Sequence, residues 1–89
     1  MFSASSATAG RSVYSGLYRY VGGRMRERRI MLGLTQRQVA SRAGLCDAQL
    51  SRYEAGGAPF SASRLDDIAR VLAVDVAYFF EGWPALPTR

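Results

Sequence analysis

From Thr35 to Gly56 the chain reads TQRQVASRAGLCDAQLSRYEAG, an order of residues that suits two short helices meeting at a tight bend and little else. Thr35 offers an N-cap hydroxyl, and Gln38, three residues on, completes a capping box. The helix that follows runs to Ala43 with Val39, Ala40 and Ala43 on its inner face. Ala40 falls where the second helix crosses closely, so a larger side chain there forces the pair apart. Gly44 supplies the left-handed backbone that ends a helix abruptly. The second helix, about Asp47 to Glu54, buries Leu50 and Tyr53 at i,i+3 spacing and turns Asp47, Ala48, Ser51 and Arg52 outward.

Charge gives that outward face a direction. All twelve basic residues are arginine, the net charge is +5, and there is no histidine. Nine of the arginines lie in residues 1–60 against three acids, whereas residues 61–89 hold three arginines against four acids. The front of the chain is therefore the end that meets a polyanion. An Arg-rich helix alone reads as a solvated surface, but beside two helices at this spacing it reads as the approach to duplex DNA by a helix-turn-helix.

These residues resemble a known family, the lambda-repressor and Cro type of regulator, also called the Xre type. The likeness runs from about Val21 to Gly82 and rests on LGLTQ at 32–36, AGL at 43–45, LSRYEAG at 50–56 and SASRLDDIARVLAVDVAYFFEG at 61–82. The last segment is similar to small stand-alone members found in alphaproteobacteria. The resemblance implies an all-α, five-helix DNA-binding domain that reads the major groove with the helix near 47–54, as a homodimeric transcriptional repressor in the bacterial cytoplasm and on the nucleoid. Gln36 matches the glutamine that in this family bonds a DNA phosphate and braces the reading helix. Arg29 and Glu54 match the positions of a structural ion pair. Glu54 is itself poorly placed at a helix C-terminus, which calls for a partner, and Arg28 is expected to stay in solvent.

The remaining candidate DNA-binding residues divide by chemistry. Arg52 suits bidentate recognition of guanine or a phosphate; Asp47 suits cytosine N4 or the dipole of its own helix. Gln49 lies at the groove edge within reach of base or backbone, with Ala48 and Ser51 on the same face. Cys46 stands where the family has Ser or Thr, losing a good cap; a small buried thiol accounts for it. Since relatives carry other residues at 47 and 48, the target sequence does not carry over.

Around this unit the chain divides into an arm at 1–20, a domain at 21–82 and a tail at 83–89. Residues 1–12 are small, polar and without periodicity, which predicts a disordered arm. Val13, Tyr14, Leu17, Tyr18 and Val21 line one stripe of a short extra helix at 13–21, with Gly22-Gly23 interrupting its continuation. Helix 1 then spans about Val21 to Leu32 and stops at Gly33, with Met25 and Leu32 inward and Arg24, Arg26 and Arg28 outward. Helix 4 begins near Ser61, with Ser63 and Asp66 as a competing capping box, and buries Leu65, Ile68, Ala69 and Leu72. Asp75 caps a last short helix that Gly82 stops, and WPALPTR is irregular.

Tyr78, Phe79, Phe80 and Trp83 carry more apolar surface than a short terminal helix easily buries, which makes them candidates for a dimer interface, with the stripe at 13–18 as a competitor. The same cluster supports the alternative function, an antitoxin-like or adaptor protein that docks a protein partner. Catalysis has little to stand on. There is no histidine to serve as a base, Cys46 has no imidazole partner, and Asp66 and Asp67 diverge on their helix. One cysteine excludes an internal disulfide, and the donor set makes no metal site. No cofactor or small-molecule ligand is implied. No apolar run approaches the roughly 20 residues that span a bilayer.

Overall fold

The computed structural model describes the backbone of residues 3–83 and the side chains of residues 16–83. It contains four α-helices, α1 (Ser3–Met31), α2 (Gln36–Ala43), α3 (Asp47–Ala55) and α4 (Ala62–Val71), then a 3-10 helix at Val76–Phe80. No strand occurs among the described residues. The fold is thus the all-α, five-helix arrangement that the sequence implies, with the last helix wound more tightly, as short pieces often are. Residues 84–89, most of the tail expected to be irregular, lie outside the described residues.

Local chemistry sets the middle boundaries. Thr35 Oγ1 accepts from Gln38 N at 3.0 Å while Gln38 Oε1 accepts from Thr35 N at 2.8 Å, a complete capping box. Gly44 and Gly56 end α2 and α3 in the left-handed region, each with φ of 76°. At α4 it is Ser61 whose hydroxyl accepts from Arg64 N at 3.1 Å, so the competing Ser63–Asp66 box is not used. Leu65, Ile68 and Ala69 of α4 and Leu72 at its C-cap are buried with Val39, Ala40 and Leu50 of the motif, Val21 and Met25 of α1, and Phe79.

Helix α1 departs from the expected pattern. It runs without a break through Gly22 and Gly23, joining the extra helix expected at 13–21 to helix 1, and its backbone begins at Ser3, inside the segment expected to be a disordered arm. Extending a helix already fixed by packing gains one hydrogen bond per residue, so a glycine there costs only about 1 kcal/mol. Gly22 has a packing reason as well. It marks the crossing of α1 over the end of α3, where a Cβ would lie 2.7 Å from Glu54 O and closer still to Tyr53 O. From the other side, a Cβ on Gly56 would lie 2.6 Å from Arg19 Cα. Two glycines thus let α1 and the end of α3 touch backbone to backbone.

Two side chains of α1 and one just past its end also differ from expectation. Leu32 is 40% exposed, alongside exposed Ile30 and Met31, because the chain turns at Gly33 (φ 72°) and delivers Leu34 to the core instead. Arg24, expected outside, donates from Nε and Nη2 to Tyr78 O at 3.1 and 2.9 Å and stacks over the Tyr78 ring. Arg28, expected in solvent, donates from Nε to Leu72 O at 2.9 Å. Arg28 thereby supplies a donor to Leu72 O, past the last turn of α4, and Arg24 adds to Tyr78 O, which also accepts from Glu81 N at 3.3 Å. Arg26 is exposed, as expected.

The glycine crossing gives a sharp contrast. Gly22→Ala should lower stability by about 1 to 3 kcal/mol or more, because it meets backbone that cannot yield without separating α1 from α3. Gly23→Ala meets nothing within 4 Å and should raise stability by about 0.5 to 1 kcal/mol. Urea unfolding of the two variants measures this, and shifts of the same sign would contradict the crossing.

Candidate nucleic-acid interface

Helix α3 shows two faces. Leu50 is fully buried and Tyr53 partly so, whereas Asp47, Ala48, Ser51 and Arg52 are all exposed on the opposite side. The inner face is fixed by packing of α3 against α1 and α2. The outer face offers a carboxylate, a methyl, a hydroxyl and a guanidinium to whatever it meets, and no ion pair holds Arg52 among the described residues.

The far end of α3 is anchored by charge. Arg29 Nε lies 2.7 Å from Glu54 Oε2 and Nη2 lies 3.0 Å from Oε1, a two-pronged pair whose side chains are only 12% and 4% exposed. Donation of hydrogen bonds to Glu54 raises the Arg29 pKa above its ordinary value, desolvation opposes that, and the charge of Glu54 adds to it. Gln36 Nε2 donates to the same Glu54 Oε1 at 2.9 Å, and Arg29 Nη1 reaches Leu34 O at 3.0 Å. One carboxylate therefore ties α1, α2 and the loop between them to the end of α3. Gln36 makes this bond with one amide hydrogen, which leaves the other hydrogen and its backbone N–H at the outer start of α2.

The front of α3 holds what sequence reasoning missed. Arg37 on α2 pairs with Asp47, Nε to Oδ2 at 3.3 Å. Their separation of ten residues across a turn belongs to no helical spacing rule, so only the packing of α2 against α3 brings them together. Gln49, expected at the groove edge, instead folds back so that its Oε1 accepts from Cys46 N at 3.0 Å, supplying an end cap that the thiol does not. Cys46 is exposed rather than a buried thiol, because Leu45, its neighbour, takes the inward position.

The aromatic cluster is largely consumed within the molecule. Phe79 is fully buried, Tyr78 lies beneath Arg24, Phe80 packs against the core, and Trp83 meets Tyr20 with ring centroids 5.3 Å apart. Tyr20 also donates through its hydroxyl to Glu81 O. The length of α1 is the reason: its Leu17–Tyr20 turn supplies the cover that the sequence pattern lacked. Phe79 is therefore withdrawn from any interface. Leu17 and Tyr18 of the competing stripe turn toward the core and Phe60, whereas the side chains of Val13 and Tyr14 lie outside the described residues.

A family model described as Helix-turn-helix matches residues 25–79, the stretch from Met25 on α1 to Phe79 at the end of the core. The chain belongs to this helix-turn-helix family. It is 49% identical over 61 residues to an uncharacterized transcriptional regulator in the ATPase CF(0) region of Rhodospirillum rubrum, a match covering 68% of this chain and 56% of that one. The chain spans about half the length of the curated relatives it matches. Among solved structures, the clp gene regulator ClgR of Corynebacterium glutamicum superposes with a TM-score of 0.72 at 27% identity, over 80% of this chain and 96% of that one. The restriction-modification controller protein C.AhdI of Aeromonas hydrophila gives 0.69 at 27% identity, over 71% and 96%. Among the described residues no group of His, Cys, Asp and Glu is placed to hold a metal ion, and no helix is long and apolar enough to cross a membrane.

Burial separates the two ion pairs of α3 in stability. Glu54→Ala strands a buried guanidinium and should cost about 3 to 5 kcal/mol, whereas Asp47→Ala, in a pair 83% and 53% exposed, should cost less than about 1 kcal/mol. Thermal or chemical unfolding of both variants distinguishes them. Equal small losses would mean that Glu54 does not anchor the helix.

Proposed function

We propose that this protein is a sequence-specific transcriptional regulator, a repressor, that binds double-stranded DNA by laying α3 in the major groove. The observation that carries the reading is the exposed polar face of α3, held by a buried ion pair at one end and presenting Arg52, which no ion pair holds among the described residues. A helix so fixed offers its side chains at constant angle and depth, which base readout requires. Membership of the helix-turn-helix family and likeness to transcriptional regulators of other bacteria support it.

Two classes of contact follow from the chemistry. Gln36, through its free amide hydrogen and the unsatisfied N–H groups at the start of α2, takes a backbone phosphate. Arg52 takes guanine O6 and N7, with Ser51 and Ala48 lining the groove beside it. Cys46 and Gln49 stand at the entry to α3 and approach the backbone. One such helix covers only a few base pairs, so the protein acts as a homodimer that sets two copies of α3 about 34 to 36 Å apart in successive major grooves. Tyr78, Phe80 and Trp83 keep partly exposed edges for that contact. The site of action is the bacterial cytoplasm, on the nucleoid.

An electrophoretic shift with total genomic fragments, followed by sequencing of the retained DNA, tests the reading. The selected fragments should share a motif, and log K should fall with log salt at about −0.9 per phosphate neutralised. Gln36→Ala should weaken all sites alike; Arg52→Ala should change the preferred bases. Retention of no fragment, or an affinity indifferent to salt, would count against duplex DNA as the target.

A further inference from the structure

Asp47 opens α3 with an outward carboxylate on the face that, on the reading just given, meets DNA. A free carboxylate there is repelled by the phosphates that flank the groove. It is not free, since Arg37 Nε on α2 lies 3.3 Å from its Oδ2. The two side chains are 83% and 53% exposed, and an exposed pair of this kind contributes little to folding. What the pair does do is local. It neutralises the one acid on the exposed face of α3, and it engages one carboxylate oxygen from the side, leaving Oδ1 as an acceptor.

We propose that Arg37 is a positioning residue for base selection and that Arg37 and Asp47 work as one unit. Arg37 holds the Asp47 carboxylate against the front of α3 and cancels its repulsion from the backbone, and Oδ1 then accepts from the exocyclic amine of a base, cytosine N4 or adenine N6. A guanine or thymine at the same groove position offers Asp47 a carbonyl oxygen instead, which repels it. The selected class is a base pair with an amine donor at that position, and the selecting residue is tuned by a partner on the neighbouring helix. The proposal rests on α3 entering the major groove.

Binding-site selection from randomised duplexes with the full chain tests it, comparing wild type, Arg37→Ala, Arg37→Lys, Asp47→Ala and the Arg37→Ala/Asp47→Ala double variant. Wild type should select an amine-bearing base at one position of each half-site. Asp47→Ala and Arg37→Ala should each weaken that single preference by about fivefold or more, the double variant should lose no more than either alone, and Arg37→Lys should restore part of it. Melting temperatures close to wild type show that the variants fold. If Arg37→Ala keeps the preference and loses affinity evenly across sequences, with a salt slope lowered by about 0.9, Arg37 is a phosphate contact and the proposal is overturned while the function stands. An unchanged preference in Asp47→Ala overturns it equally. Failure of the wild-type protein to select any duplex overturns the function reading and this one together.

Discussion

Glu54 carries a carboxylate with 4% of its side chain exposed at the C-terminal end of α3, where the helix dipole opposes a negative charge. It persists there because Arg29 meets both oxygens and Gln36 adds a third hydrogen bond. Each partner comes from a different helix, so satisfying this one group fixes α1 and α2 against the end of α3. The backbone contact at Gly22 and Gly56 lies at the same place, since a glycine on each side lets α1 approach the last turn of α3 closely enough for Arg29 to reach Glu54. Removing either feature leaves the other without its geometry.

That anchoring divides α3 into an end that is held and a face that is free. Its last turn is held through Glu54, which is buried, ion-paired and close to α1, whereas Asp47, Ala48, Ser51 and Arg52 stand in solvent. The arginines divide in the same way. Arg24, Arg28 and Arg29 reach carbonyls or Glu54 and serve the fold. Arg26, Arg42 and Arg52 remain exposed and serve the positive potential that draws a polyanion. A run of like charges on α1 therefore performs two kinds of work, set by which side of the helix each residue occupies.

The short-range features were the legible ones. The Thr35–Gln38 capping box, the left-handed Gly44 and the buried stripe of α4 each follow from residues within one or two helical turns, and local spacing suffices to find them. Features that depend on distant partners were not legible. Gly22 reads as a helix breaker in sequence, and only the carbonyls of Tyr53 and Glu54, more than thirty residues away, reveal it as a packing residue. Tyr78 and Trp83 read as surplus apolar surface because their cover, Arg24 and Tyr20, belongs to a helix whose continuity those same glycines obscured. Arg37 escaped notice because its partner lies across the turn. The pair Arg29 and Glu54 came from the family resemblance and the misplaced charge of Glu54, not from spacing.

On the proposed function, α3, fixed by Glu54, lies in the major groove of duplex DNA in two copies. Dimethyl sulfate probing of a selected site tests it directly, because the reagent methylates guanine N7 in the major groove and adenine N3 in the minor groove. Guanine N7 should be protected in two patches about one helical turn apart, with adenine N3 between them still reactive. Protection confined to adenine N3, or unchanged reactivity at guanine N7 throughout a bound site, would contradict it.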